Sequence, residues 1–133
     1  MSADLTGEPT SLILDAEDAK LMVLARSARL RAYTPHGGAA EGAAVRDTDG
    51  RAYAAATVDN ARPELSTSAL RAAVVAAAAS GARRFEAAVI VTERDNIDPD
   101  DVAVLTEFGT ETPIFVAGLD GIARERFEPG QAR

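Results

Sequence analysis

Few side chains in this chain have the types that do chemistry, and those few are spaced in suggestive ways. Ser68 lies in the opening of an alanine-rich segment, Asp98 and Asp101 bracket Pro99-Asp100, and His36 is the only histidine. A serine nucleophile needs an adjacent base that is itself oriented by a third group. His36 is the sole imidazole, and no base–orienter pair is visible beside Ser68, so His36 reads as a solvated loop residue next to Gly37-Gly38. That glycine pair lacks the strand–loop–helix setting and the lysine of a phosphate loop. Asp98-Pro99-Asp100-Asp101 has the composition of a helix start: a capping aspartate, proline at the first helical position and a carboxylate facing the positive end of the helix. Glu93 to Asp101 therefore reads as a solvated acidic loop running into a cap. Arg83-Arg84 reads as the exposed lead-in to a strand.

Composition removes several classes of mechanism. There is no cysteine, which excludes disulfides, thiolate zinc sites and a cysteine nucleophile, and one histidine cannot build an imidazole metal site. The formal charge of −7 disfavours nucleic acid as a partner, because phosphate contacts need a basic face. No apolar run reaches the ~18 residues of a membrane span, and the first residues lack the basic-then-apolar pattern of a secretion signal. The expectation is a cytoplasmic protein with no membrane or nucleic-acid partner. At 133 residues and 47% apolar, it is long enough for one domain with a real core, packed largely with alanine.

The elements that must position these residues follow from periodicity and punctuation. Residues 1–11 read as a flexible tail, residues 12–128 as one domain and residues 129–133 as a second tail. Asp15, with Asp18 three residues on, opens a helix whose apolar face is Leu21, Leu24, Ala25, Ala28 and Ala32, ending near Tyr33 before Pro35. Gly42 to Arg46 and Arg51 to Val58 flank Asp47-Thr48-Asp49-Gly50 and read as a hairpin. Ser66 is expected to cap a second helix, stopped by Gly81. Ala72 to Ala79 is apolar on all sides, so that helix is expected to be buried on more than one face, against the sheet and against another subunit. Phe85 to Val91 reads as a buried strand, Pro99 to Phe108 as a third helix ended by Gly109, and Pro113 to Ala117 as a strand parallel to the first. Ile122 to Phe127 is a last edge segment. The expected fold class is α/β, a three-layer α/β/α domain with a mixed sheet of about five strands.

That order of elements, with four local strings, resembles the small zinc-dependent cytidine deaminase family over roughly residues 18–127. Tyr33-Thr34-Pro35 followed by Gly42-Ala43-Ala44 is similar to the family's A-Y-x-P…V-G-A-A. Asp49-Gly50-Arg51-Ala52-Tyr53 is similar to its D-G-x-x-Y hairpin, Val58-Asp59-Asn60-Ala61 to its V-E-N-A, and Glu107-Phe108-Gly109 to its E-F-G. The resemblance implies the fold, and it also locates what has changed. Where the family has C-A-E at the start of the second helix, this chain has Ser68-Ala69-Leu70. Where the family's P-C-x-x-C opens the third helix, Asp98 and Asp101 take the cysteine positions. By this register Ser68, Asp98 and Asp101 are former zinc-ligand positions, and Leu70 is the former proton-shuttle position. The family's base-stacking phenylalanine corresponds to Ala39, and its ribose-binding N-x-E to Thr57 and Asp59, of which only Asp59 keeps a comparable acceptor.

A zinc deaminase needs the metal to acidify water and a carboxylate to move its proton. The resemblance therefore implies a protein without catalytic residues and without the family's zinc: an oligomeric scaffold, or a partner- or small-ligand-binding protein. The family's subunit packing implies a dimer or tetramer, and an active homologue is a further candidate partner. The alternative is a hydrolase or deaminase on a nucleoside-like substrate that uses Ser68, Asp98 and Asp101, with or without a hard metal such as Mg²⁺ or Ca²⁺. The bland reading of the same three residues is helix capping.

Overall fold

A computed structural model describes residues 12–131; the tail expected over residues 1–11 lies outside the described residues, as does the end of the one expected over residues 129–133. Ten elements follow in order: α1 (Ala16–Arg29), β1 (Gly42–Asp47), β2 (Ala52–Ala56), a 3-10 turn (Pro63–Leu65), α2 (Ala69–Ala79), β3 (Phe85–Val91), α3 (Pro99–Thr106), β4 (Ile114–Ala117), β5 (Ala123–Phe127) and a 3-10 turn (Pro129–Gln131). The five strands form one sheet in the order β2-β1-β3-β4-β5. β3 and β4 run parallel, Ala88 opposite Ile114 through Val91 opposite Ala117, while the other neighbours are antiparallel. This is the mixed five-stranded sheet expected from the sequence.

Alternation along the strands divides the core into two layers. Ala43, Val45, Ala88, Ile90, Ile114 and Val116 face α2 and α3, with Leu70, Ala73, Val74, Ala77 and Leu105. Ala44, Ala87, Val89, Val91, Phe115 and Ala117 face α1, with Leu21, Met22 and Ala25. The period of two is the pleat itself: each strand contributes to both cores because both faces are covered. Gly42 shows how closely the layers approach. A Cβ there would lie 2.1 Å from the Ala25 carbonyl oxygen, so only glycine lets α1 cross the start of β1.

The local signals explain most boundaries. Asp15 caps α1 by accepting from the Asp18 amide at 2.8 Å, and Asp98 caps α3 with Pro99 following. In the hairpin turn Asp47 Oδ1 accepts from the amides of Asp49 and Arg51, and Gly50 takes φ +87°. Three expectations need correction. The cap of α2 is Ser68, not Ser66; Ser66 closes the preceding 3-10 turn and its hydroxyl accepts from the Asn60 amide. α1 ends at Arg29 rather than near Tyr33, because Tyr33 leaves to bridge Val58, and Leu24 is 41% exposed. Its buried face is Leu21, Met22, Ala25 and Ala28. β2 stops at Ala56, since Val58 exchanges both backbone hydrogen bonds with Thr67.

α2 lies on the sheet and beside α3 through Ala69, Leu70, Ala73, Val74 and Ala77. Val75, Ala76 and Ala79 on its other side are exposed, Val75 by 56%. Within the chain, then, the all-apolar helix is covered on one side only. No helix among the described residues is long and apolar enough to cross a membrane.

Candidate functional site

Two helices begin beside the end of β3, and the segment after β2 is stitched to both sides of this region. Tyr33 donates its amide to Thr57 and accepts from Asp59, while Val58 and Thr67 pair antiparallel. These bonds fix the chain just before Ser68 and bring Thr57 to the mouth of a cleft of about 220 Å³. The cleft is lined by Ala39, Glu41, Thr57, Ser66, Thr67, Ser68, Arg71, Arg94, Asp98 and Asp101. Five of the seven residues singled out from the sequence thus meet here: Ala39, Thr57, Ser68, Asp98 and Asp101.

Ser68 and Asp101 are joined directly. The Ser68 hydroxyl donates to Asp101 Oδ1 at 2.6 Å, the short distance of a hydrogen bond to a charged acceptor. The same hydroxyl oxygen accepts from the Arg71 amide at 3.4 Å, so it also caps α2. Asp101 is 3% exposed, in the first turn of α3. Burial pushes its carboxyl above the usual range; the Ser68 hydrogen bond opposes this, the charges of Asp98 and Glu41 reinforce it, and Arg71 weakly offsets it. Asp98 stands at the rim, exposed, its Oδ1 taken by the Asp100 amide at 2.9 Å. The short chain Ser68–Asp101 therefore ties the N-termini of α2 and α3 together across the cleft.

The other two singled-out residues point elsewhere. Leu70 is 1% exposed and belongs to the core between α2 and the sheet, with Val45, Val74 and Ile90. Asp59 is buried and accepts at Oδ2 from the amides of His36 and Gly38, both at 3.0 Å. It organises the loop before β1. Gly38 is required by this contact, since a Cβ there would sit 2.1 Å from Asp59 Oδ1. His36 meets Asp59 through its backbone amide and is exposed.

Sequence reasoning passed over Glu41, Arg94 and Thr92. Glu41 is 4% exposed immediately before β1. Its Oε2 accepts from the Thr92 hydroxyl at 2.6 Å and from Arg94 Nε at 2.8 Å. Arg94 is held in turn through its carbonyl, which accepts from Arg124 Nη2. A charged residue directly before the buried run Gly42-Ala43-Ala44 was the available signal, since a carboxylate there must find a partner. Thr57 completes this corner: its hydroxyl accepts from the Glu41 amide at 3.0 Å.

What this arrangement can do follows from its donors. It offers four hydroxyls, three carboxylates and two guanidinium groups, with no thiolate or imidazole. Among the described residues no group of three or more acidic, histidine or cysteine side chains is arranged to hold a metal ion.

Comparison with known proteins agrees with the fold. Cytidine deaminase from Burkholderia pseudomallei has a similar structure, with a TM-score of 0.77 and 27% identity, covering 84% of this chain and 91% of that one. The Mycobacterium tuberculosis cytidine deaminase matches at TM-score 0.69 and 30% identity, over 75% and 85% of the two chains. That of Mycobacterium leprae matches at 0.69 and 26%, over 81% and 92%. The family model described as cytidine deaminase-like spans residues 14–121, and with this sheet order and these neighbours the chain belongs to the cytidine deaminase-like family.

Proposed function

We propose that this chain is a non-catalytic member of its family, a pseudoenzyme that uses the inherited cleft and surface to hold a small ligand or a protein partner. The observation that carries this reading is the donor set at the cleft. Zinc deaminases hold the metal with histidine and cysteine and move protons with a glutamate that is not a ligand. Ser68, Asp98 and Asp101 stand at the ligand positions in our register, and Leu70 at the glutamate's. These residues do not fit zinc. Thiolates are absent, the Ser68 proton is committed to Asp101, and Asp98 is committed to its own helix. Leu70 has no proton to give and is turned into the core. Ala39 offers no ring to stack on a base, and Thr57 and Asp59 are occupied in holding Glu41 and the His36–Gly38 loop.

Self-association belongs to the same reading. The exposed Val75, Ala76 and Ala79 face of α2 consists of small apolar residues that let helices approach closely, which supports a dimer or tetramer, or assembly with an active homologue. The acidic balance supports a partner other than nucleic acid. Metal analysis of the purified chain tests the central point. The expected result is no stoichiometric zinc after exposure to zinc and desalting; one equivalent retained through dialysis would overturn the reading.

A second reading is favoured by one distance. Ser68 donates to a buried carboxylate at 2.6 Å, which is the geometry of a hydroxyl with an adjacent base. A hydrolase built on that pair would cleave activated esters or nucleoside-like substrates and lose activity in Ser68→Ala. Equal background hydrolysis by both proteins would dispose of it.

A further inference from the structure

Asp101 is a buried carboxylate with no cation at salt-bridge distance among the described residues. It is 97% buried by residue area, and its only hydrogen-bond partner among the described residues is the neutral hydroxyl of Ser68 on Oδ1. No Lys, Arg or His nitrogen among the described residues lies within 4.0 Å of it. Its second oxygen is unpartnered yet is not among the sealed, unsatisfied atoms, the only such described atom being Arg46 Nη1. Oδ2 therefore keeps its access to the cleft that Asp101 lines. Glu41, which lines the same cleft, has the same character: Oε2 takes Thr92 and Arg94, while Oε1 has no partner among the described residues and is not sealed.

The guanidinium groups nearby do not restore the balance. Arg94 is paired with Glu41 at 2.8 Å, and Arg71 directs Nη2 to the Ser66 carbonyl at 3.0 Å. Three carboxylates, Glu41, Asp98 and Asp101, thus face two cations, and the least solvated carboxylate has neither. A buried charge in that state is costly, and it is relieved either by a proton or by a cation supplied from outside. The raised carboxyl of Asp101 reports the same imbalance.

We propose that the cleft between Glu41 and Asp101 binds a small organic cation bearing N–H donors, of the alkylguanidinium or alkylammonium class, whose charge pairs with the free oxygen of Asp101. A cleft of about 220 Å³ has room for such a molecule, and the free acceptor oxygens of Asp101 and Glu41 match its donors rather than the full oxygen shell that Mg²⁺ or Ca²⁺ demands. The proposal rests on the non-catalytic reading only in that the ligand is held and not turned over.

The test is an amide NMR titration of the full chain with methylguanidinium chloride, against methylurea and against sodium chloride at matched ionic strength. Saturable shifts centred on Glu41, Ser68 and Asp101 are expected with methylguanidinium alone. Asp101→Asn, which keeps an acceptor for Ser68, is expected to weaken binding by about tenfold or more. Shifts equal to those with methylurea or with salt, or binding unchanged in Asp101→Asn, would overturn the proposal. So would saturable binding of Mg²⁺ at these residues with no response to methylguanidinium. Should Asp101→Asn fail to fold, the comparison of methylguanidinium with methylurea on the unaltered chain decides alone. Ammonia release from cytidine, measured separately, bears on the non-catalytic reading and leaves cation binding untouched.

Discussion

Leu70→Ala separates a core residue from a pocket residue at the position that our register aligns with a deaminase's proton shuttle. The Leu70 side chain is 1% exposed and lies among Ala43, Val45, Val74, Ala88 and Ile90. Three carbons leave the core, at about 0.8 kcal/mol each, giving about 2.4 kcal/mol of transfer free energy. The cavity adds to this, because α2 is pinned by the Ser68–Asp101 bond and cannot collapse fully onto the sheet; buried Leu→Ala changes span about 2.7–5 kcal/mol. We expect a loss of about 3 kcal/mol, seen as a midpoint shift in urea with unchanged slope, and a fall in Tm of roughly 10–15 °C for a chain of this size. Val23→Ala on the exposed side of α1, where Val23 is 65% exposed, is the control and is expected to change stability by under about 0.5 kcal/mol. A loss below about 1 kcal/mol in Leu70→Ala, with the fold intact, would refute the packing argument and return Leu70 to the cleft.

Asp98→Ala removes the α3 cap and should cost about 1 kcal/mol in chemical denaturation; a gain would mean that the rim carboxylate is strained rather than capping. Asp101→Asn should change the pH dependence of stability. With its carboxyl raised in the folded state, that state holds the proton more tightly, so the wild type loses stability as pH rises from the ordinary aspartate range through the folded value. Asparagine abolishes that slope, and the variant should be the more stable of the two at neutral pH but not in acid; parallel pH profiles would contradict this. Converting Ser68→Cys, Leu70→Glu, Asp98→Cys and Asp101→Cys together should recover zinc binding and little deamination, because Ala39 and Thr57 remain. A folded quadruple variant without zinc affinity would show that our register of α3 is wrong.

The fold was legible where information is local. Asp15 with Asp18, Asp98 with Pro99, and Asp49-Gly50 each carry their own structural instruction, and the buried runs at Phe85–Val91 and Ile114–Ala117 need both faces covered. The errors fall where distant contacts decide. Ser66 and Ser68 are equally good caps by type, and the pairing of Val58 with Thr67 selects Ser68. An alanine-rich helix carries no polar mark on its free side, so the exposure of Val75 and Ala79 could not be read from it. Ser68, Asp98 and Asp101 were found through the resemblance, but Glu41 was not. Its partner Arg94 lies 53 residues away, and the one local signal, a charge directly before the buried run at Gly42, does not say which residue will pair with it.

The central claim is that the cleft has lost its inherited reaction. Ammonia release from cytidine by the purified chain, with zinc added in excess, tests it most directly. The account expects a rate indistinguishable from that of heat-denatured protein, unchanged in Ser68→Ala and Asp101→Ala. Sustained release by the unaltered chain that disappears in either variant would contradict it.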